Sequence, residues 1–136
     1  MHTPQIVVAA AIIRAGEDGP QLLAAERAYP PQLAGWWELP GGKAEPGESE
    51  PEALVRECLE ELGVLVTVGK RVGKDQPLDG GRAVLRAWSA RLERGEPVAT
   101  EHRRLRWLGA TELGSVRWLP ADLPLLEPLR ALLTVG

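Results

Sequence analysis

The apolar positions of this chain fall into segments of two periods. Ile6-Val7-Val8-Ala9-Ala10-Ala11-Ile12-Ile13 is continuously apolar, β-branched at both ends, and runs out near Gly16 and Gly19. A short apolar run bounded by glycine predicts a strand covered on both faces and followed by a turn. Residues 21–27 are its antiparallel return. Tyr29-Pro30-Pro31 halts regular structure, because consecutive prolines lack N–H donors and restrict their neighbours, so a loop runs on to Trp36. Residues 64–72 and 83–91 read as two more strands, joined through 73–81 with turn chemistry at Asp79-Gly80-Gly81. Residues 105–108 form a short strand and 110–113 a helical turn. A leucine-rich helix from about Asp122 to Leu133 closes the chain, its start blurred by Pro124 and Pro128.

One segment has the helical period with both ends marked. Ser49 and Glu52 make an S-x-x-E capping box, and Pro51 falls in the first turn, where a missing N–H costs nothing. Gly63 after Leu62 is the expected left-handed stop. With successive residues about 100° apart, the reading gathers Leu54, Val55, Cys58, Leu59 and Leu62 on an apolar face and Glu57, Glu60 and Glu61 on the opposite one. No repeat, low-complexity tract or linker divides the 136 residues, which predicts a single domain over 1–136.

Composition narrows the function classes. Sixteen Lys plus Arg against nineteen Asp plus Glu give a net charge of -3, whereas a binder of polymeric nucleic acid is expected to carry a basic excess. A small phosphorylated ligand held through cations stays open. With 44% hydrophobic residues the chain can bury a core. Cys58, the only cysteine, excludes an intrachain disulfide and a cysteine-rich zinc site, which suits a reducing compartment; on the apolar helix face it is expected to be inert. The run 6–13 is far short of the ~20 residues of a membrane span. A soluble, cytoplasmic protein with no membrane partner is the expectation.

Glu57, Glu60 and Glu61, at i, i+3 and i+4, repel one another unless something offsets their charge. A divalent cation does so, and an oxygen-only set suits Mg²⁺ or Mn²⁺, hard ions that also bridge to phosphates. Pro40-Gly41-Gly42 precedes the helix, where missing Cβ atoms let backbone approach an ion or phosphate, and Lys43 adds a mobile positive charge. Taken alone, the three glutamates read more readily as a solvated acidic face, and the glycines as a plain turn. The full spacing tips the balance. Gly42, five residues, Glu48, seven residues, Arg56-Glu57, apolar Cys58, one residue, Glu60-Glu61, one residue, Gly63 and apolar Val64 form one register. Its seven fixed identities would coincide by chance at about 10⁻⁸ or less per starting position.

This register resembles the Nudix box, G-x5-E-x7-R-E-U-x-E-E-x-G-U, and Trp37-Glu38-Leu39-Pro40-Gly41-Gly42-Lys43 resembles the lead-in of its MutT branch. The resemblance implies an α/β fold, the Nudix α/β/α sandwich with a mixed β-sheet between helices. It implies metal binding by Glu57, Glu60 and Glu61 with the Gly41 carbonyl, support from Glu48, and an Arg56 that holds the glutamates. Glu101, following Gly95-Glu96-Pro97 at the matching distance, is implied as a further ligand or base. Glu57 is the favoured general base and Glu101 the second. Lys43 is implied to reach phosphate and Arg27 the base, with an ion pair to Glu26 or another acid as the alternative for Arg27.

Substrate choice turns on Pro120-Ala121-Asp122, where MutT carries P-A-N. An ionised Asp only accepts hydrogen bonds, while Asn also donates, and cytosine offers an exocyclic amine donor. The tail from Trp118 to Leu126 resembles the CTP pyrophosphohydrolase branch. The implied reaction is Mg²⁺-dependent hydrolysis of CTP or dCTP, 5-methylated forms included, to monophosphate and pyrophosphate; 8-oxo-dGTP or broad dNTP hydrolysis is the alternative. A catalytically silent Nudix domain, or a dinucleoside polyphosphate or ADP-ribose hydrolase, would be the outcomes of a different kind. For Asp122 a plain N-cap of the last helix is the competing role. Trp36 is the expected stacking face for the base, and His102 reads as a solvated loop histidine. The only partner expected is a small nucleotide, and the assembly a monomer or homodimer.

Overall fold

Strand β1 (Gln5–Gly16) is the axis of a seven-stranded mixed sheet in the computed structural model, which describes residues 3–134. The first half of β1 lies between β4 (Gly41–Lys43), antiparallel with Val8 opposite Gly42, and β6 (Ala83–Arg94), parallel with Ile6 opposite Val84. Its last residues turn back onto β2 (Gly19–Glu26). β2 in turn pairs with β3 (Trp37–Glu38) and β7 (Arg104–Leu108), and β5 (Leu65–Leu78) flanks β6.

Both faces of β1 are covered, which is why its sequence is apolar without alternation. Val8, Ala10 and Ile12 pack with Leu54, Cys58 and Leu62 of α1 (Glu50–Leu62). Ala9 and Ala11 face the other way, into a cluster with Trp37, Trp118, Leu125 and, from α2 (Leu126–Thr134), Leu129 and Leu133. Two 3₁₀ segments, Ala110–Ser115 and Pro120–Leu125, complete that second layer. The result is the expected α/β/α sandwich.

The ends of α1 are capped as its sequence requires. The Ser49 amide donates to Glu52 Oε1 at 2.8 Å, the Ser49 hydroxyl accepts from the Glu52 amide, and Gly63 adopts φ 71° with its N–H on the Leu59 carbonyl.

Three expectations need correction. β5 continues to Leu78 instead of ending at residue 72, because register shifts between Val68 and Arg71 and between Val72 and Gln76 accommodate Gly69 and Gly73 within the strand. The last α-helix begins at Leu126, since Pro124 lacks the N–H an α-helix would use and Pro120–Leu125 winds as 3₁₀ instead. On α1, Leu59 is 57% exposed and Glu61 only 8%. At about 100° per residue, Glu61 projects about 20° from Leu54, whereas Leu59 lies about 100° round from Cys58. The helix places a carboxylate at the edge of the core and a leucine outside it.

Cys58 is buried, and burial above all pushes its thiol up to about 12. Among the described residues no helix is long and apolar enough to cross a membrane.

Candidate active site

A cleft of about 360 Å³ is lined by Val7, Val8 and Ala9 of β1, Leu78 of β5 and Leu85 of β6, and by residues of several further parts of the chain. Arg27 and Tyr29 come from the end of β2, Glu38 and Leu39 from β3 and just beyond it, Gly41 and Gly42 from β4, and Glu61 from α1. Glu101 and His102 come from the β6–β7 connection, and Ala121 and Asp122 from the Pro120–Leu125 turn. Residues up to 115 positions apart in the chain, Val7 and Asp122, share the lining.

The acidic region is built on α1. Arg56 sits among the box glutamates, donating to Glu48 at 2.7 Å, Glu57 at 2.9 Å and Glu60 at 3.2 Å, and to the Lys43 carbonyl at 3.0 Å. That guanidinium, helped by the Glu45 amide, holds the Glu48 carboxyl down at about 2. Glu57 lies against Gly42 so closely that a Cβ there would come within 2.5 Å of its carboxylate. At Gly41 a Cβ would run into the Val8 carbonyl. Glycine is therefore a packing requirement at Gly41, where the obstacle is backbone, while a side chain at Gly42 would displace the Glu57 carboxylate.

Glu61 is the electrostatic outlier. Burial, then the Glu57 carboxylate by its charge and by a hydrogen bond shared with Glu61, then Glu38 and Glu101, push it up to about 8, and its Oε2 is buried with no hydrogen-bond partner. A carboxylate oxygen without a donor, facing other carboxylates, is what a cation would stabilise. Glu57 and Glu60 are drawn toward Arg56, and among the described residues no three carboxylate or histidine side chains share one ion-sized space in this conformation. The donor chemistry is oxygen only, which fits Mg²⁺ or Mn²⁺.

Asp122 occupies a different part of the same wall. Only 4% exposed, it accepts from the Leu39 amide at 3.3 Å, and burial, with Glu38 adding to it, lifts its carboxyl to about 7 despite that bond. It is not a helix N-cap: the 3₁₀ turn is capped at Leu119 and the α-helix starts four residues later.

Arg27, Gly41, Glu61, Glu101 and Asp122 thus line the cleft, with Glu57, Arg56, Glu48 and Glu60 clustered behind Gly42. Arg27 lines the cleft, and the acid it pairs with is Glu38, at 3.2 Å, not Glu26. Glu26 is buried beneath Arg104 instead. Lys43 and Trp36 are not part of the wall. The Arg117 guanidinium lies over the Trp36 ring, 3.7 Å from its centroid. His102 is not a solvated loop residue: its side chain is 7% exposed, and Nε2 bonds Glu38 Oε2 at 2.9 Å. Glu38 and Tyr29 were without a role in the sequence reading, although Glu38 stands in the lead-in to the glycines.

A profile of the NUDIX domain matches residues 4–130. A protein of Mycobacterium tuberculosis (strain ATCC 25618 / H37Rv) named "Putative 8-oxo-dGTP diphosphatase 2" is 53% identical over 121 residues, covering 87% of this chain and 82% of that protein. The CTP pyrophosphohydrolase of Escherichia coli (strain K12) is 46% identical over 127 residues, covering 93% and 91%. The solution structure of the E. coli ORF135 protein superposes with a TM-score of 0.77 at 39% identity, covering 96% of this chain and 91% of that one.

Proposed function

The chain belongs to the Nudix family of hydrolases, and from that premise we propose that it is a cytoplasmic, Mg²⁺-dependent pyrophosphohydrolase of nucleotide-pool sanitation that prefers CTP and dCTP, 5-methyl-dCTP included. The reaction is nucleoside triphosphate plus water giving monophosphate plus pyrophosphate. What carries the reading is one cleft that joins Glu61, with one buried carboxyl oxygen left unpaired, to a buried Asp122 able to accept from a base.

Glu57, Glu60, Glu61, Glu101 and the Gly41 carbonyl are the groups that would hold Mg²⁺, with Glu48 supporting them. When bound, the ion supplies charge neutralisation of the phosphates and a lowered pKa for water. Arg56 holds Glu48, Glu57 and Glu60 at fixed spacing. Glu57 accepts the proton that water loses as its oxygen bonds to phosphorus, and Glu101 is the second choice for that role. Arg27, on the wall, contributes positive charge toward the nucleotide. Asp122 accepts from the cytosine amine.

A second reading, 8-oxo-dGTP as the preferred substrate, has its own support. The Mycobacterium relative carries that name, and an Asp122 carboxyl lifted to about 7 is in part a hydrogen-bond donor at neutral pH. Steady-state kinetics over CTP, dCTP, 5-methyl-dCTP, dGTP and 8-oxo-dGTP, with products analysed in ¹⁸O-water, separates the two. The first reading requires the highest kcat/KM with a cytosine nucleotide; a higher value with 8-oxo-dGTP replaces it with the second. Glu57→Gln should keep the fold and abolish turnover, and retained turnover removes Glu57 from the mechanism.

A further inference from the structure

Glu101 stands in the connection between β6 and β7, residues 95–103, which has no regular secondary structure of its own. Its carboxylate lies near that of Glu61. Four hydrogen bonds hold the loop in. The Val98 amide donates to the Leu62 carbonyl at 3.0 Å and the Arg103 amide to the Glu26 carbonyl at 2.8 Å. Between them, the Thr100 hydroxyl donates to the Glu61 carbonyl, and His102 Nε2 bonds Glu38 Oε2 at 2.9 Å.

The two side-chain bonds are placed immediately before and after Glu101, and each ends on a residue of the cleft wall. The Glu61 carbonyl is one of the last four of α1, which have no partner within the helix and accept readily from outside. Glu38 is itself fixed by Arg27. An exposed glutamate on a free loop would sample many positions; one whose two neighbours are anchored to α1 and β3 samples few.

We propose that Thr100 and His102 are positioning residues, a two-point strap that holds Glu101 over the cleft. The proposal rests on the reading of Glu101 as a metal ligand or base. Neither residue needs to touch the substrate to act in this way.

Thr100→Val keeps the side-chain shape and removes the donor; Thr100→Ser restores it. His102→Phe keeps a ring and removes its nitrogens. Each of Thr100→Val and His102→Phe should lower kcat about tenfold with KM changed less than about twofold, since loss of alignment acts on the chemical step more than on binding. Amide hydrogen exchange should quicken at Val98 and Arg103 with no change in the core of α1, and Thr100→Ser should restore both kcat and protection. In a Glu101→Gln background, Thr100→Val should cost nothing further in kcat. Unchanged kcat and unchanged exchange in Thr100→Val overturn the strap. Quickened exchange with wild-type kcat, while Glu101→Gln is impaired, overturns its link to Glu101. A Glu101→Gln protein with wild-type kcat overturns the reading of Glu101 itself, and exchange then reports a purely structural tether.

Discussion

Asp122→Asn tests the electrostatics of the cleft and its choice of base together. The carboxyl is 4% exposed and lifted from an ordinary 3.8 to about 7, first by burial and then by Glu38. In the unfolded chain it loses its proton near pH 4, while in the folded protein it keeps the proton to about pH 7. Over that window the native state binds more protons, so stability is full below the unfolded value and is lost as pH rises through the folded one. At about 1.4 kcal/mol per pH unit the loss reaches about 4 kcal/mol by pH 7 and is constant above it. Asparagine keeps an acceptor for the Leu39 amide and has no proton to lose. Urea denaturation of both proteins from pH 4 to pH 8 therefore should show curves that diverge between pH 4 and 7, the variant ending up the more stable by up to about 4 kcal/mol. Taking the difference between the two proteins cancels the titration of every other group, Glu61 included. Parallel curves refute the argument, because they mean that Asp122 titrates alike in both states. The same substitution trades an acceptor for a donor, and the CTP to 8-oxo-dGTP ratio of kcat/KM should fall by about tenfold or more.

Three further substitutions and modifications probe the acidic region. Gly42→Ala puts a Cβ within 2.5 Å of the Glu57 carboxylate and should lower kcat by about a hundredfold with little change in Tm; kinetics near wild type would mean that Glu57 can move without penalty. Arg56→Lys cannot reproduce a fork that reaches Glu48, Glu57, Glu60 and the Lys43 carbonyl at once, so a drop of at least about tenfold in kcat is expected, accompanied by a rise in the Glu48 pKa measurable by carboxyl NMR. Cys58, with a thiol pushed up to about 12, should resist iodoacetamide in the native protein and react only in denaturant; rapid native labelling would contradict its burial.

Local chemistry made the helix and the strand axis legible. Ser49, Glu52 and Gly63 each act on backbone groups within four residues, so sequence alone bounds α1. The apolar run of β1 needed no partner to be read, because a strand covered on both faces has no polar side. The strand after α1 was read too short for a related reason. Gly69 and Gly73 look like punctuation along the chain, yet within the sheet they sit at register shifts that only the pairing with β6 can reveal. His102 and Glu38 are 64 positions apart and Thr100 and Glu61 are 39 apart, so no local pattern announces either contact. Trp36 leads into the glycines, yet the guanidinium over its ring belongs to Arg117, 81 positions away, beyond any local pattern.

Glu61 was legible and misread. Grouping it with Glu57 and Glu60 followed from charge, whereas angular position puts it beside Leu54. That placement changes how the net charge is understood. Glu48, Glu57, Glu60, Glu61 and Glu101, together with the Arg56 that pairs with the first three, would carry minus four with every carboxylate ionised. The chain as a whole carries -3, and the remainder is then slightly positive. The acidity of the protein is therefore a property of its site. A region with that imbalance, one of its carboxyl oxygens buried without a donor, must protonate or recruit cations. An anionic nucleotide can approach it only in the second case.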